Sequence, residues 1–169
     1  MGLRRSAYPG PDSVGTKDAV GRQLETEENM AARGTAEWKG GLQTGTGTFT
    51  AGDSIGGGYT FKSRFEDGPG SNPEQLIAAA HAACFSMALS AALERAGSPV
   101  ESVQTNANVT LRLVDGTPTI TKIDLVTRGR VPGIDEATFV KEAEAAKANC
   151  VVSRALAGVP EITLDAALA

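Results

Sequence analysis

The sequence predicts a single α+β domain. Three observations carry this: a run of short Gly- and Thr-rich segments between Gly34 and Glu66, one long apolar helix opening at Asn72, and an alternating hairpin from Val103 followed by a second helix and a last strand. At 169 residues the chain is long enough for one domain with a real core and too short for two comfortable ones. Residues 1–32 mix prolines, glycines and charges without a sustained apolar period. They read as an arm, either an extended start or a docking segment, ahead of a domain over residues 33–169.

The elements follow in order. GTAEWKGGL, GTGTFTAGD and GGGYTFKSRFE are short, carry Thr and aromatic residues, and are punctuated by glycine, which predicts three strands joined by tight turns. The third is expected to carry Arg64. These glycines are turn residues rather than a phosphate loop, because no strand, loop and helix follow in the required order and no Lys-Ser/Thr closes the motif.

Asn72-Pro73-Glu74-Gln75 is a helix start: an N-cap, a proline at the first helical position, an acid at the positive end and a glutamine able to complete a capping box. The helix should run to Ala96, with Gly97 as its stop. From Leu76 to Leu93 only His81, Ser86 and Ser90 are polar, so the helix is apolar all round and is expected to be buried on every side. A membrane span fits poorly, since eight of those eighteen residues are alanine and no second candidate segment exists. One thin sheet cannot cover such a helix, whereas two copies packing their central helices between two sheets would, which predicts a homodimer.

VQTNANVTLRL alternates apolar and polar residues from Val103, Asp115-Gly116 makes a turn, and a second strand is expected from Thr119 to Val131. Asp135 caps a second helix whose Phe139, Ala143, Ala146 and Cys150 share one face. A helical turn over Ser153–Ala157 and a strand over Glu161–Leu168 end the chain.

The composition, 41% hydrophobic and 21% charged, is that of an ordinary globular protein. A net charge of −4 with no basic run argues against a nucleic-acid partner. The opening MGLRRSAYPG lacks the apolar segment of a secretory signal, so a cytoplasmic address is expected. There the two cysteines, Cys84 and Cys150, are by default free thiols, and a bond between them would be redox-active rather than structural.

Cys84 has two readings. Most free cysteines are small core hydrophobes; a nearby guanidinium would instead favour its thiolate and make it a nucleophile. Arg64, the one arginine between Arg33 and Arg95, is the candidate, although it also fits a solvated charge on an edge strand. Glu74 complements the helix dipole and is a candidate orienter of Arg64. Ten helical residues separate Glu74 from Cys84, about 15 Å along the axis, so a site using both draws Glu74 and Arg64 from another subunit. His81, one turn before Cys84, raises Cys-His catalysis or a zinc site, but without a trustworthy ligand spacing it reads as a packed or hydrogen-bonded core histidine.

SRFEDGPGSNPEQLIAAAHAACFSMALSAALERAG, ITKIDLVTRGRVPGID and AKANCVVSRAL together resemble the OsmC (osmotically inducible protein C) family, related to the organic hydroperoxide resistance (Ohr) proteins. The resemblance covers about residues 34–168, and HAACFSMALS favours the OsmC branch. It implies an intertwined homodimer with two central helices wrapped by sheets, and thiol-dependent reduction of organic hydroperoxides. It further implies Cys84 as peroxidatic cysteine, Cys150 as resolving cysteine, Glu74 and Arg64 as active-site acid and arginine, no metal or flavin, and a lipoyl-bearing dithiol protein as reductant. Val151 stands where family members often have proline. Two other readings use the same residues: a non-catalytic dimer binding a hydrophobic ligand, and a redox sensor signalling through the cysteine pair.

Overall fold

A computed structural model describes residues 31–169. The arm expected over residues 1–32 lies almost wholly outside the described residues. The chain builds two three-stranded sheets and four helices among the described residues. Strands β1 (Gly34–Lys39), β2 (Thr46–Ala51) and β3 (Ile55–Thr60) form an antiparallel meander. Trp38, Phe49 and Tyr59 cluster on one of its faces, with ring centroids 5.3 Å and 6.4 Å from Tyr59.

Arg64 does not lie on a strand. After β3 the chain turns into a short helix, α1 (Phe61–Phe65), which carries it. The cause is a reciprocal cap: the Ser63 amide donates to Thr60 Oγ1 at 3.0 Å and the Thr60 amide donates to Ser63 Oγ at 2.9 Å. That exchange satisfies the first-turn amides and makes helix the better local choice.

The central helix α2 spans Pro73–Arg95. Asn72 Oδ1 accepts from the Gln75 amide at 2.8 Å, and Gln75 Oε1 accepts from the Asn72 amide at 3.2 Å, completing the expected box. Gly97 adopts φ +80°, the left-handed conformation that ends helices at little cost to glycine. The expectation of burial on every side is not met within one chain. Glu74, His81, Phe85, Leu89 and Leu93 are buried along one face, whereas Met87, 75% exposed, and Leu76 are both exposed on others. One sheet and the two helices that follow it cover one side of α2, and the side carrying Leu76, Ala79, Ala80, Ala83 and Met87 is exposed among the described residues.

That sheet consists of β4 (Ser102–Val114), β5 (Thr117–Arg130) and β6 (Glu161–Leu168). β4 and β5 pair antiparallel across a two-residue turn at Asp115-Gly116, both with positive φ, while β6 pairs parallel to β5. The hairpin's second strand starts two residues before the expected Thr119. Helix α3 (Glu136–Asn149) is capped by Asp135, whose carboxylate accepts from the Thr138 amide at 2.7 Å. Phe139, Ala143, Ala146 and Cys150 form the predicted stripe, buried with Phe85, Leu89, Leu93, Ile123 and Leu125. Each large apolar side chain in that core contributes about 1.5–3 kcal/mol. Helix α4 (Val151–Ala155) begins two residues earlier than the expected turn, because the backbone breaks at Cys150 (φ −58°, ψ 126°) and restarts at once. The first sheet joins the rest of the chain chiefly through α1 and a bridge between Tyr59 and Ser71.

Candidate active site

Two side-chain pairs emerge from the four residues singled out by sequence. The first is the thiols. Cys84 sits midway along α2 and Cys150 at the joint between α3 and α4, and the packing of α3 and α4 on α2 brings their Sγ atoms to 3.3 Å. Both are reduced, Cys150 buried and Cys84 half-buried. The sulfurs are in hydrogen-bond contact and not bonded.

The second pair is Arg64 and Glu74. Arg64 Nη2 donates to Glu74 Oε1 at 2.7 Å and Nε donates at 3.2 Å, a forked clamp on a carboxylate that is 8% exposed. The guanidinium also lies 5.2 Å from the Phe65 ring centre. Arg64 stands between two clefts. One of about 300 Å³ is lined by Asn72, Glu74, Gln75, Asn108 and Leu111, and one of about 230 Å³ is lined by Trp38, Leu42, Tyr59, Phe61, Phe65 and Pro73. Neither cleft includes a cysteine. Within one chain the pairs stay apart, as the ten-residue helical separation of Glu74 and Cys84 requires.

The electrostatics of the thiols follow from this separation. Burial pushes the Cys84 thiol above its ordinary value, and hydrogen bonding from the Val152 amide does not compensate. Cys150 is driven the other way: burial opposes ionisation, but the Ser153 amide, the Cys84 thiol and the Ser153 hydroxyl together favour the thiolate. Among the described residues of one chain, no positive charge acts on Cys84.

His81 is fully buried and behaves as a hydrogen-bonded core histidine, its Nε2 2.8 Å from Ser153 Oγ. Burial holds its pKa below the usual imidazole value. Ser153 was not singled out by sequence except as part of a helical turn. The available signal was its spacing, three residues after Cys150, which in a turn of helix places it on the same side as the residue at the start.

A family model described as OsmC-like protein matches residues 66–165. The chain is 47% identical over 135 residues to Peroxiredoxin OsmC of Escherichia coli (strain K12), covering 79% of this chain and 93% of that protein. The protein belongs to the OsmC family. Its solved relatives share the fold: the organic hydroperoxide resistance protein OhrB of Bacillus subtilis superposes with a TM-score of 0.62 at 25% identity, over 82% of this chain and 98% of that one. An OsmC-like protein from Mycoplasma pneumoniae reaches 0.65 at 16% identity, over 83% and 98%. The α+β arrangement of two small sheets and a central helix is thus the OsmC/Ohr fold, and the protein is a cysteine-based peroxidase, a peroxide-detoxifying thiol protein.

Proposed function

We propose that this OsmC protein reduces organic hydroperoxides, and hydrogen peroxide less well, through a Cys84 sulfenic acid and a Cys84–Cys150 disulfide. The observation that carries the reading is the 3.3 Å approach of a half-buried sulfur to a fully buried one, from different helices. The Cys84 thiolate attacks the outer oxygen of the peroxide; the O–O bond breaks, one oxygen stays on sulfur, and the alkoxide takes a proton and leaves as alcohol. Cys150 then attacks the Cys84 sulfur, the S–S bond forms, and the oxygen departs as water. An external dithiol, for which a lipoyl-bearing protein is the proposed donor, restores both thiols by exchange. This chemistry calls for no metal or flavin.

The charge that ionises Cys84 is proposed to come from Arg64 of a second copy, held in place by that copy's Glu74. Three facts support a homodimer with its sites at the interface: the uncovered apolar face of α2, the separation of the two side-chain pairs, and the upward push on the Cys84 thiol. Arg64 would then stabilise both the thiolate and the charge developing on the peroxide oxygens. It would also bring to Cys84 the aromatic cleft of Trp38, Tyr59, Phe61 and Phe65, in which an alkyl tail leaves water. A cytoplasmic address goes with this reading, because the reducing compartment keeps both thiols free between turnovers.

The test is intact-protein mass spectrometry after one equivalent of an organic hydroperoxide. The reading requires loss of two hydrogens in the wild type, a sulfenic adduct in Cys150→Ser and no reaction in Cys84→Ser. Unchanged mass in all three would sink it.

A further inference from the structure

The two sulfurs of a Cys84–Cys150 disulfide are placed very differently with respect to a reductant. Cys84 is half-buried at the margin of the uncovered side of α2, where its helical neighbours Ala80, Ala83 and Met87 are exposed. Cys150 is 1% exposed and belongs to the buried cluster that holds Phe85, Phe139, Ala143 and Ala146. Closing the 3.3 Å contact to a covalent bond brings the sulfurs together by about 1.3 Å in all, too little to lift Cys150 out of the core or to draw Cys84 into it. A second copy packed on α2 adds cover and cannot uncover Cys150. It has to leave Cys84 open, because the peroxide must reach that sulfur.

The rate of thiol–disulfide exchange depends on which sulfur the attacking thiolate reaches and on how readily the other one leaves. Reach selects Cys84. The leaving group agrees: burial opposes ionisation of Cys150, but the hydrogen bonds around it outweigh that and hold it below its ordinary thiol value, while burial pushes Cys84 above. The thiol of lower pKa leaves faster, and attack on Cys84 is the attack that expels Cys150.

We propose that the reductant attacks Cys84 and that Cys150 is the thiolate it expels, so that peroxide and dithiol take turns at one sulfur. The proposal rests on the peroxidase reading. One thiolate of the dithiol bonds to Cys84 Sγ as the Cys84–Cys150 bond breaks, and Cys150 leaves as a thiolate and takes up a proton. The second thiolate of the dithiol then attacks its partner sulfur in the mixed disulfide, closing the reductant's own disulfide and releasing Cys84. Two electrons pass from the dithiol to the cysteine pair. Until that second step, Cys150 beside Cys84 competes by attacking it again and expelling the reductant.

The experiment closes the disulfide in the wild-type protein with one equivalent of an organic hydroperoxide, then adds excess mercaptoethanol, a thiol that cannot complete the second step. Samples stopped at intervals in acid and denaturant are capped with N-ethylmaleimide and digested with pepsin, and the peptides carrying each cysteine are weighed. The mercaptoethanol should sit on Cys84 and the maleimide on Cys150, with the reverse pattern at least about tenfold rarer, as for a sulfur reached only through local opening. Mercaptoethanol mainly on Cys150, or equally on both, overturns the proposal. Should reclosure keep the adduct below detection, the single-cysteine variants decide it. Labelling by dipyridyl disulfide, relative to the unfolded chain, should be slowed at least about tenfold more for Cys150 in Cys84→Ser than for Cys84 in Cys150→Ser, and equal protection overturns the proposal. Absence of any disulfide in the wild type after the hydroperoxide would instead refute the peroxidase reading itself.

Discussion

The proposed division of the site between chains has a decisive test in mixed dimers. Arg64 is clamped on Glu74 at 2.7 Å, and Glu74 lies ten helical residues, about 15 Å, from Cys84 of its own chain. Arg64→Ala and Cys84→Ser should each abolish turnover as homodimers. A heterodimer of the two, co-expressed with different tags and isolated by both, contains one site with an intact Cys84 facing an intact Arg64 and one site lacking both. It should recover about half the wild-type rate of organic hydroperoxide consumption. The thiol pair supplies a control of opposite sign. Cys84 and Cys150 meet within one chain at 3.3 Å, so the heterodimer of Cys84→Ser with Cys150→Ser completes no two-cysteine site and should form no Cys84–Cys150 disulfide. No recovery in the first heterodimer would show that Arg64 does not serve the other chain. A Cys84–Cys150 disulfide in the second would show that the thiols pair between chains.

Three further outcomes follow from the packing. A Cβ built on Gly129 runs into the ring of buried Phe139, so Gly129→Ala should destabilise by about 1–3 kcal/mol through overpacking, read as a lowered urea midpoint at unchanged slope; an unchanged midpoint would mean that the ring swings aside freely. Because burial lowers the His81 pKa, the unfolded chain takes up that proton first. Stability should be complete above the unfolded value near 6.5 and be lost as pH falls from there through the folded value, and His81→Gln should remove this part of the acid limb of a pH series of denaturation midpoints. Trp38 and Phe61 line the apolar cleft beside Arg64, so Trp38→Ala should raise KM for a bulky aromatic hydroperoxide several-fold and leave that for hydrogen peroxide nearly unchanged; equal effects on both would remove the cleft from the substrate's path.

Much of this was legible in the residues because its causes are local. The Asn72–Gln75 box, the Gly97 stop and the Asp115-Gly116 turn each depend on a few neighbouring backbone groups, and each is found where its residue types predict. The stripe from Phe139 to Cys150 is likewise a matter of helical period. Arg64 shows the limit of such reading. Its segment continues the apolar and Thr-rich character of a strand, and only the Thr60–Ser63 exchange converts it to helix. Ser153 carried less signal still, because its partner His81 lies 72 positions away.

The sequence by itself determined the α+β order, the helix ends, the hairpin and the four residues around which a site is proposed, since capping, turn chemistry and periodicity act over a few residues. Only the tertiary structure decided that Cys84 touches Cys150, that Arg64 clamps Glu74 and not Cys84, and which side of α2 is covered. A helix apolar all round has no stripe to point at its partner, so long-range packing alone selects the face that carries Phe85, Leu89 and Leu93 inward and leaves Met87 exposed.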